Sequence, residues 1–353
     1  MKDLELRAVE ALTGLLGEVP IIELKAVKAS TLIDNHEIDL LVSIDVAGHP
    51  HTLVCEIKSD VKSHHVPLAL LKLGQRVASV GTNSTPVLLA PYFPPKAQEL
   101  CRTFGAGFLD LEGNARLVFD GVFIERHVAS KPAAERRELK SIFKPKAAQV
   151  LRTMLRDPQH TWRVTELAEA AGVSLGHVSN VRTALLDRDW AGLDPGGLFL
   201  TAPDALLDAW RDVYDPPAGV RTEFYTVLHG KAFEEAVRRA SCIDDQAGNA
   251  VLASFSAAHW LAPYARTGSH SFYADETGLD LLKQALKLSF ASKGANIIVN
   301  RLSDIGIFRD TVEPAPGIFC TSPVQTYLDL SCAGERGVEA AEHLRLQKLN
   351  WSK

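Results

Sequence analysis

Residues 165–190 read TELAEAAGVSLGHVSNVRTALLDRDW, and the spacing of this stretch predicts two short helices joined by a tight turn. Gly172 supplies the left-handed backbone that the turn requires, and Ser174 is a favourable N-cap for the second helix. The small and apolar residues that recur at helical spacing are Leu167, Ala168, Ala171, Val178, Val181 and Leu185. Two helices that bury such a stripe where they cross at a glycine turn form a helix-turn-helix.

The flanking sequence extends this motif to a winged helix-turn-helix over 142–213. A preceding helix carries an apolar face, and Trp162–Val164 predicts a short strand. After the motif, Trp190–Leu193 and Leu198–Thr201 flank a turn of sequence DPGG, which predicts the hairpin called the wing.

The outer face of the second helix carries side chains typical of a DNA-recognition helix. If the apolar stripe is buried, the residues left outside are Ser174, Gly176, His177, Ser179, Asn180 and Thr183, with Arg182 at the margin. Asn and His can read base edges, Ser can hold phosphate, and Gly permits close approach. We expect Lys144 and Arg163 to contact phosphates regardless of sequence. The alternative is a winged helix that contacts only protein.

Charge is unevenly distributed along the 353 residues. The net charge is −5, which excludes a basic nucleic-acid coat protein. Residues 131–190 nevertheless hold 11 Lys and Arg against 7 Asp and Glu, a local excess of +4. A cationic segment between acidic flanks is consistent with a DNA-binding module.

Two alternating runs, Asp39–Val46 and His51–Lys58, predict a hairpin with a four-residue loop over 47–50. This register places Asp39, Glu56 and Lys58 together on a polar face, with Leu40, Val42, Cys55 and Ile57 on the opposite, buried face. Two adjacent carboxylates can hold magnesium, so Asp39 and Glu56 are the candidate metal ligands. A neighbouring lysine can orient or deprotonate an attacking water.

The order Asp…Glu-x-Lys between two predicted helices resembles the PD-(D/E)xK nuclease superfamily. The resemblance implies a restriction-endonuclease-like α/β domain over 1–130, with Asp39, Glu56 and Lys58 as candidate catalytic residues. Gln75 would occupy a frequent accessory position, and Glu10 is a candidate further carboxylate. The proline–aspartate opening of the motif is absent, because His36-Glu37-Ile38 precedes Asp39. We therefore expect weak or no metal-dependent cleavage.

The last 200 residues resemble the AbiEi family of bacterial type IV antitoxins and transcriptional regulators. The segments that carry the resemblance are GLFLTAPDALLDAW (197–210), LASFSAAHWLAPYA (252–265) and CTSPVQTYLDLSCAGERGVEAAEHLR (320–345). The resemblance implies an autorepressor whose winged helix binds an operator and whose C-terminal α/β domain, 220–353, counteracts a nucleotidyltransferase-like toxin. The chain departs from the simplest members in having a nuclease-like domain ahead of the winged helix.

The whole sequence therefore predicts an α/β multidomain protein. We expect linkers at 129–141 and 215–219, and antitoxin activity in 220–353 that is separable from DNA binding. Five scattered cysteines without a CxxC pair, and no apolar run long enough to span a membrane, favour a cytoplasmic protein with reduced thiols.

Three functions follow as alternatives. The favoured one is a regulator that binds double-stranded DNA without a cofactor and that has a toxin partner. The second is a magnesium-dependent DNA nuclease targeted by the winged helix, and the third is a scaffold that binds proteins. A homodimer is compatible with each of them.

Overall fold

The computed structural model describes residues 2–33, 36–62, 65–128, 132–244, 248–264, 268–291 and 293–351. The chain divides into two compact units. The N-terminal unit comprises Met1–Arg136 with Asp187–Asp189, and the C-terminal unit comprises Arg137–Leu186 with Trp190–Lys353.

The N-terminal unit is built on a seven-stranded sheet whose spatial order follows the chain, from β1 to β7. Strands β1, β2 and β3 are antiparallel, whereas β4 and β5 continue the sheet in parallel with β3. The elements are α1 (Lys2–Gly17), β1 (Ile22–Ile33), β2 (His36–Val46), β3 (His49–Ile57), α2 (Val66–Val80), β4 (Ser84–Ala90), α3 (Pro95–Thr103), β5 (Gly107–Asp110), β6 (Ala115–Phe119) and β7 (Val122–Arg126).

Apolar cores lie on both faces of this sheet. On one face, Leu12 and Leu16 of α1 pack against alternate residues of β2 and β3, including Leu40, Val42 and Cys55. On the other face, α2 and α3 cover a second core. This second face was expected to be polar, but Leu41 and Val54 are buried there beneath the helices. The polar residues of β2 and β3 therefore share that face with a hydrophobic core.

The β2–β3 hairpin differs from the predicted one in its turn. The expected four-residue loop over 47–50 is wrong, because Val46 pairs with His49 and only Ala47 and Gly48 form the turn. Both turn residues have positive φ, 53° and 89°, which is the backbone of a tight hairpin turn that matches strand twist. Pro50 continues the strand opposite Asp45. The pairing is thus shifted by two residues, an even number, so each side chain keeps its predicted face.

The C-terminal unit opens with helices and a hairpin. The boundary between the two units, at Arg136 and Arg137, falls within the predicted linker over 129–141, although 133–142 forms a helix that buries Leu139 and Ile142 in the core. Residues 129–131 of that linker lie outside the described residues. The elements are α4 (Ala133–Ile142), α5 (Pro145–Arg156), α6 (Val164–Ala171), α7 (Leu175–Asp187), β8 (Ala191–Asp194), β9 (Gly197–Leu200) and α8 (Pro203–Asp212).

The rest of the unit surrounds a mixed eight-stranded sheet, in which β11 pairs with β12 outside the main order β14-β10-β15-β13-β12-β17-β16. Its elements are β10 (Gly219–Tyr225), α9 (Gly230–Ala240), β11 (Cys242–Asp244), β12 (Gly248–Leu252), α10 (Ser254–Leu261), β13 (His270–Ala274), α11 (Glu276–Ala285), β14 (Ser289–Phe290), β15 (Ile297–Leu302), a 3₁₀ helix (Ile305–Arg309), β16 (Thr311–Ala315), β17 (Ile318–Thr321), α12 (Pro323–Ser331) and α13 (Glu335–Lys348).

One hydrophobic core joins the first part of this unit to the second. Leu151 of α5 and Trp210 of α8 belong to the same cluster as Tyr327 of α12 and Leu344 of α13. The residues expected to link two domains, 215–219, therefore lie within one compact unit. Among the described residues, no helix combines the length and apolar character that a membrane crossing needs.

Candidate functional site

The turn between α6 and α7 has the predicted backbone. Gly172 adopts a left-handed conformation, with φ 64° and ψ 41°, and ends α6. The backbone N–H of Val173 then donates to the carbonyl of Ala168 at 3.0 Å. Ser174 precedes α7; its Oγ lies 2.8 Å from Nδ1 of His177 and accepts from the His177 backbone N–H at 3.4 Å. These contacts hold the first turn of α7 in a fixed conformation.

The two faces of α7 differ as the sequence predicts. Val178, Val181 and Leu185 are buried in the core. The residues on the opposite side are exposed: Ser174, Leu175, Gly176, His177, Ser179, Asn180 and Thr183. The hydroxyl of Thr183 donates to the carbonyl of Ser179 at 3.1 Å. The side chain of Asn180 makes no hydrogen bond within the described residues, so its amide is available to a ligand.

A hairpin and a third short strand segment lie next to α7. Strands β8 and β9 are antiparallel, with Ala191 opposite Leu200 at one end and Asp194 opposite Gly197 at the other. Trp162 forms an antiparallel bridge with Leu198. The carboxylate of Asp194 accepts from the N–H groups of Gly196 and Gly197 at 2.7 and 2.9 Å, which fixes the hairpin turn.

A groove between α7 and this hairpin is lined by both arginines of the predicted interface, Arg163 and Arg182. Arg163 is exposed immediately before α6, whereas Arg182 is half-buried. The Nε of Arg182 and the Nε1 of Trp162 are buried, and neither has a hydrogen-bond partner among the described residues. Lys144 is exposed before α5. The groove lining thus holds two cations, Arg163 and Arg182, and one carboxylate, Asp194, whose Oδ1 already accepts from the turn N–H groups.

The N-terminal unit brings Asp39, Glu56 and Lys58 together at the ends of β2 and β3. Oδ2 of Asp39 accepts from the backbone N–H of Ile57 at 2.7 Å, and Oε1 of Glu56 pairs with the Lys58 ammonium. Oε2 of Glu56 accepts from Nη1 of Arg76 on α2 at 2.9 Å. The Glu56 side chain is only 5% exposed. Sequence reasoning missed Arg76 and instead selected its neighbour Gln75, which is exposed.

These residues do not fit a divalent metal. Each oxygen of Glu56 already faces a cation, so the buried carboxylate is charge-balanced by Lys58 and Arg76. Glu10 is exposed on α1, the helix that covers the other face of the sheet. Within the described parts of the chain, no cluster of three or more His, Cys, Asp or Glu side chains is arranged to hold a metal ion.

A buried polar network in the C-terminal unit was not predicted. Oδ1 of Asp329 on α12 accepts from the hydroxyls of Tyr214 and Tyr273 at 2.5 and 2.9 Å, and from Nε2 of Gln325 at 2.9 Å. Burial raises the pKa of Asp329 to about 6, against the lowering effect of these hydrogen bonds. A sequence signal did exist, because Gln325 and Asp329 stand at i and i+4 on a helix that also carries the apolar residues Val324, Leu328 and Leu330.

In a comparison with known protein families, one family model matches part of the chain. Residues 199–350 match the family model described as "Transcriptional regulator, AbiEi antitoxin, Type IV TA system". The matched region starts within β9 and includes most of the C-terminal unit, so the AbiEi resemblance inferred from the sequence is confirmed for these residues. No curated protein matches the chain.

Two solved structures share limited similarity with the chain. One is a repair endonuclease from Pyrococcus abyssi, with 21% identity and a TM-score of 0.23; the match covers 30% of this chain and 47% of that one. The other is a complex of EndoMS with double-stranded DNA, with 20% identity and a TM-score of 0.21; the match covers 29% of this chain and 43% of that one. The chain thus matches less than half of either protein, and at these TM-scores the similarity is too slight to carry weight.

Proposed function

We propose that this protein is a DNA-binding transcriptional regulator of the AbiEi antitoxin type, which reads its operator through α7 of a winged helix. The observation that carries the proposal is the exposed face of α7. Its seven exposed positions between 174 and 183 contain no acidic residue. The family match over 199–350 supports the regulatory role.

The geometry suggests a division of labour at the interface. Asn180 and His177 project from the exposed face of α7 and would read base edges in the major groove. Arg163 and Arg182 in the groove beside the wing, together with Lys144, would contact phosphates and set the orientation of the protein on the duplex. Ser174 and Thr183 have hydroxyls tied to local partners and would contribute mainly by keeping α7 rigid.

The test is a selection of genomic fragments on the purified full chain, followed by affinity measurements on the enriched motif. Asn180→Ala should lose about 1–3 kcal/mol for the motif and little for unrelated duplexes. Arg163→Ala should weaken binding to all sequences equally and flatten the salt dependence. Asn350→Ala, which removes an exposed asparagine elsewhere in the same unit, is the matched control. If no motif is enriched, the proposal fails.

The antitoxin half of the proposal concerns the C-terminal unit. We infer that its surface counteracts a nucleotidyltransferase-like toxin, because the family match covers this unit from β9 onward. Co-expression of the full chain with a toxin encoded next to it should restore growth. An absence of rescue would contradict the antitoxin assignment and leave DNA binding to be judged separately.

A second candidate function, magnesium-dependent DNA cleavage by the N-terminal unit, is favoured by the proximity of Asp39 to the Glu56–Lys58 pair. The order of helix, three antiparallel strands, helix and parallel strand also suits the nuclease-like fold that we propose for this unit. Because Arg76 and Lys58 already neutralise Glu56, we expect no cleavage. Cutting by the wild type in magnesium that is lost in Asp39→Ala would reverse this ranking.

A further inference from the structure

The 3₁₀ helix Ile305–Arg309 is packed tightly against α5. Its residues Ile307 and Phe308 are buried. Gly306 lies so close to Gln149 of α5 that a Cβ on the glycine would sit 1.3 Å from the glutamine Nε2. This short helix belongs in sequence to the antitoxin-like region, yet it rests on the first helix of the proposed DNA-binding module.

The residue after this helix fixes it in place. The Asp310 side chain is 6% exposed, and its Oδ1 accepts from Nε of Arg156 at 3.1 Å. Its Oδ2 lies 3.7 Å from Nε of Arg152, which is also buried. Two arginines of α5 therefore anchor Asp310, and the backbone of Arg309 immediately before it has little freedom to move.

The side chain of Arg309 reaches the turn between α6 and α7. Its Cζ, Nε and Nη1 atoms all lie 2.8 Å from the position that a Cβ on Gly172 would occupy. The φ of 64° at Gly172 favours glycine. Because glycine has no side chain, the guanidinium of Arg309 can lie over the turn. Arg309 is exposed and has no ion pair or hydrogen bond among the described residues. Its charge is therefore free to meet an external anion.

We propose that Arg309 extends the DNA interface onto the antitoxin-like region by contacting a backbone phosphate beside the helix-turn-helix turn. The inference rests on the proposed DNA-binding function. Asp310 pairs with Arg152 and Arg156, and Asp304 caps the same 3₁₀ helix, so Arg309 is the cation of this group that an anion at the turn can meet. Because the guanidinium lies over the turn and its donors are unused, it can bind phosphate without breaking an existing bond.

A phosphate contact makes a specific prediction about salt. Arg309→Gln keeps much of the side chain over Gly172 but removes the charge. It should weaken binding about fivefold at low salt on operator and unrelated duplex alike, and should reduce the slope of log K against log salt by about 0.9. Arg309→Lys should retain most of the slope, because it keeps a cation at this position. Arg221→Ala, which removes another exposed arginine of the same unit, should leave the slope unchanged.

The alternative is that Arg309 only packs against the turn. In that case Arg309→Gln would keep the wild-type slope, and this result would overturn the inference while leaving the proposed function intact. Thermal unfolding of each variant identifies any general loss of structure. If Arg309→Gln is destabilised, Arg309→Met replaces it as the uncharged variant, and its slope is compared with the slopes of Arg309→Lys and the wild type. A wild type that binds no duplex would overturn both the inference and the proposed function.

Discussion

The carboxyl group of Asp329 shows how a single buried residue can make stability depend on pH. Three donors converge on Oδ1, whereas Oδ2 is buried and has no hydrogen-bond partner among the described residues. Burial disfavours the charged form and raises the pKa to about 6, from about 3.9 in an unfolded chain. Between these values the folded state keeps a proton that the unfolded state has released. This group therefore lowers stability as pH rises from about 4 to 6.

We predict that Asp329→Asn removes this penalty. The amide oxygen of asparagine can still accept from Tyr214 and Tyr273, but it carries no charge. The free energy of unfolding of the variant minus that of the wild type should therefore increase by up to about 3 kcal/mol between pH 4 and pH 7. Urea unfolding across this range measures it, with the exposed Asp280→Asn as the control. Parallel curves for the wild type and Asp329→Asn would contradict the prediction.

The polar cluster around Glu56 marks the limit of residue-level prediction from sequence. Strand alternation was enough to bring Asp39, Glu56 and Lys58 to one end of the sheet, because a period of two assigns each side chain to a face. It could not identify Arg76 as a partner of Glu56, because that contact depends on the rotation of α2. Burial of Leu70 and Leu73 sets this rotation and turns Gln75 outward.

At the level of elements, helical stripes and hairpin faces were predictable, whereas turn geometry was not. The stripe of Val178, Val181 and Leu185 is buried as expected. The β2–β3 turn was misplaced because Ala47 lacks the strong preference of Asn or Asp for positive φ, and Pro50 suggested a loop. Pro50 fits the strand because β4 begins to pair with β3 only at Thr52, so the proline nitrogen has no strand partner on that side.

The β8–β9 hairpin, the proposed wing, offers a paired test of an element. Gly197 has φ 145°, and a Cβ there would lie 2.2 Å from the carbonyl oxygen of Trp162, a backbone atom that cannot rotate away. Gly196, one residue earlier, would meet only side-chain atoms, with the nearest at 3.0 Å. We predict that Gly197→Ala separates β9 from the Trp162 segment and costs about 2–4 kcal/mol, whereas Gly196→Ala costs less than about 1 kcal/mol.

Urea unfolding and duplex binding of both variants check this prediction. If the wing lies on DNA, Gly197→Ala should also weaken binding under conditions where the protein remains folded. Equal effects of the two substitutions would show that the close approach of Gly197 to Trp162 does not support the hairpin.

For the whole molecule, composition and motifs predicted an α/β multidomain chain but placed one boundary where the structure has none. The break at 215–219 looked like a linker because it is rich in Pro and Gly. Tertiary packing decided otherwise. The hydroxyl of Tyr214 donates to Asp329 of α12, and Arg345 of α13 binds Asp204 and Asp208 of α8. Contacts between segments so distant in sequence leave no periodic signal.

This shared core changes the expectation for fragments of the chain. Residues 220–353 alone would expose Tyr327, Leu328, Leu330 and Leu344, which are all fully buried beside the first part of the unit. At about 2 kcal/mol for each side chain, the loss approaches the 5–15 kcal/mol by which a domain is usually stable. We predict that 132–353 unfolds cooperatively and counteracts the toxin, whereas 220–353 does neither. Circular dichroism during thermal unfolding and growth rescue at matched expression test both fragments. A cooperative transition with rescue in 220–353 would show that the antitoxin-like region is an independent domain and that its core does not need α5 and α8.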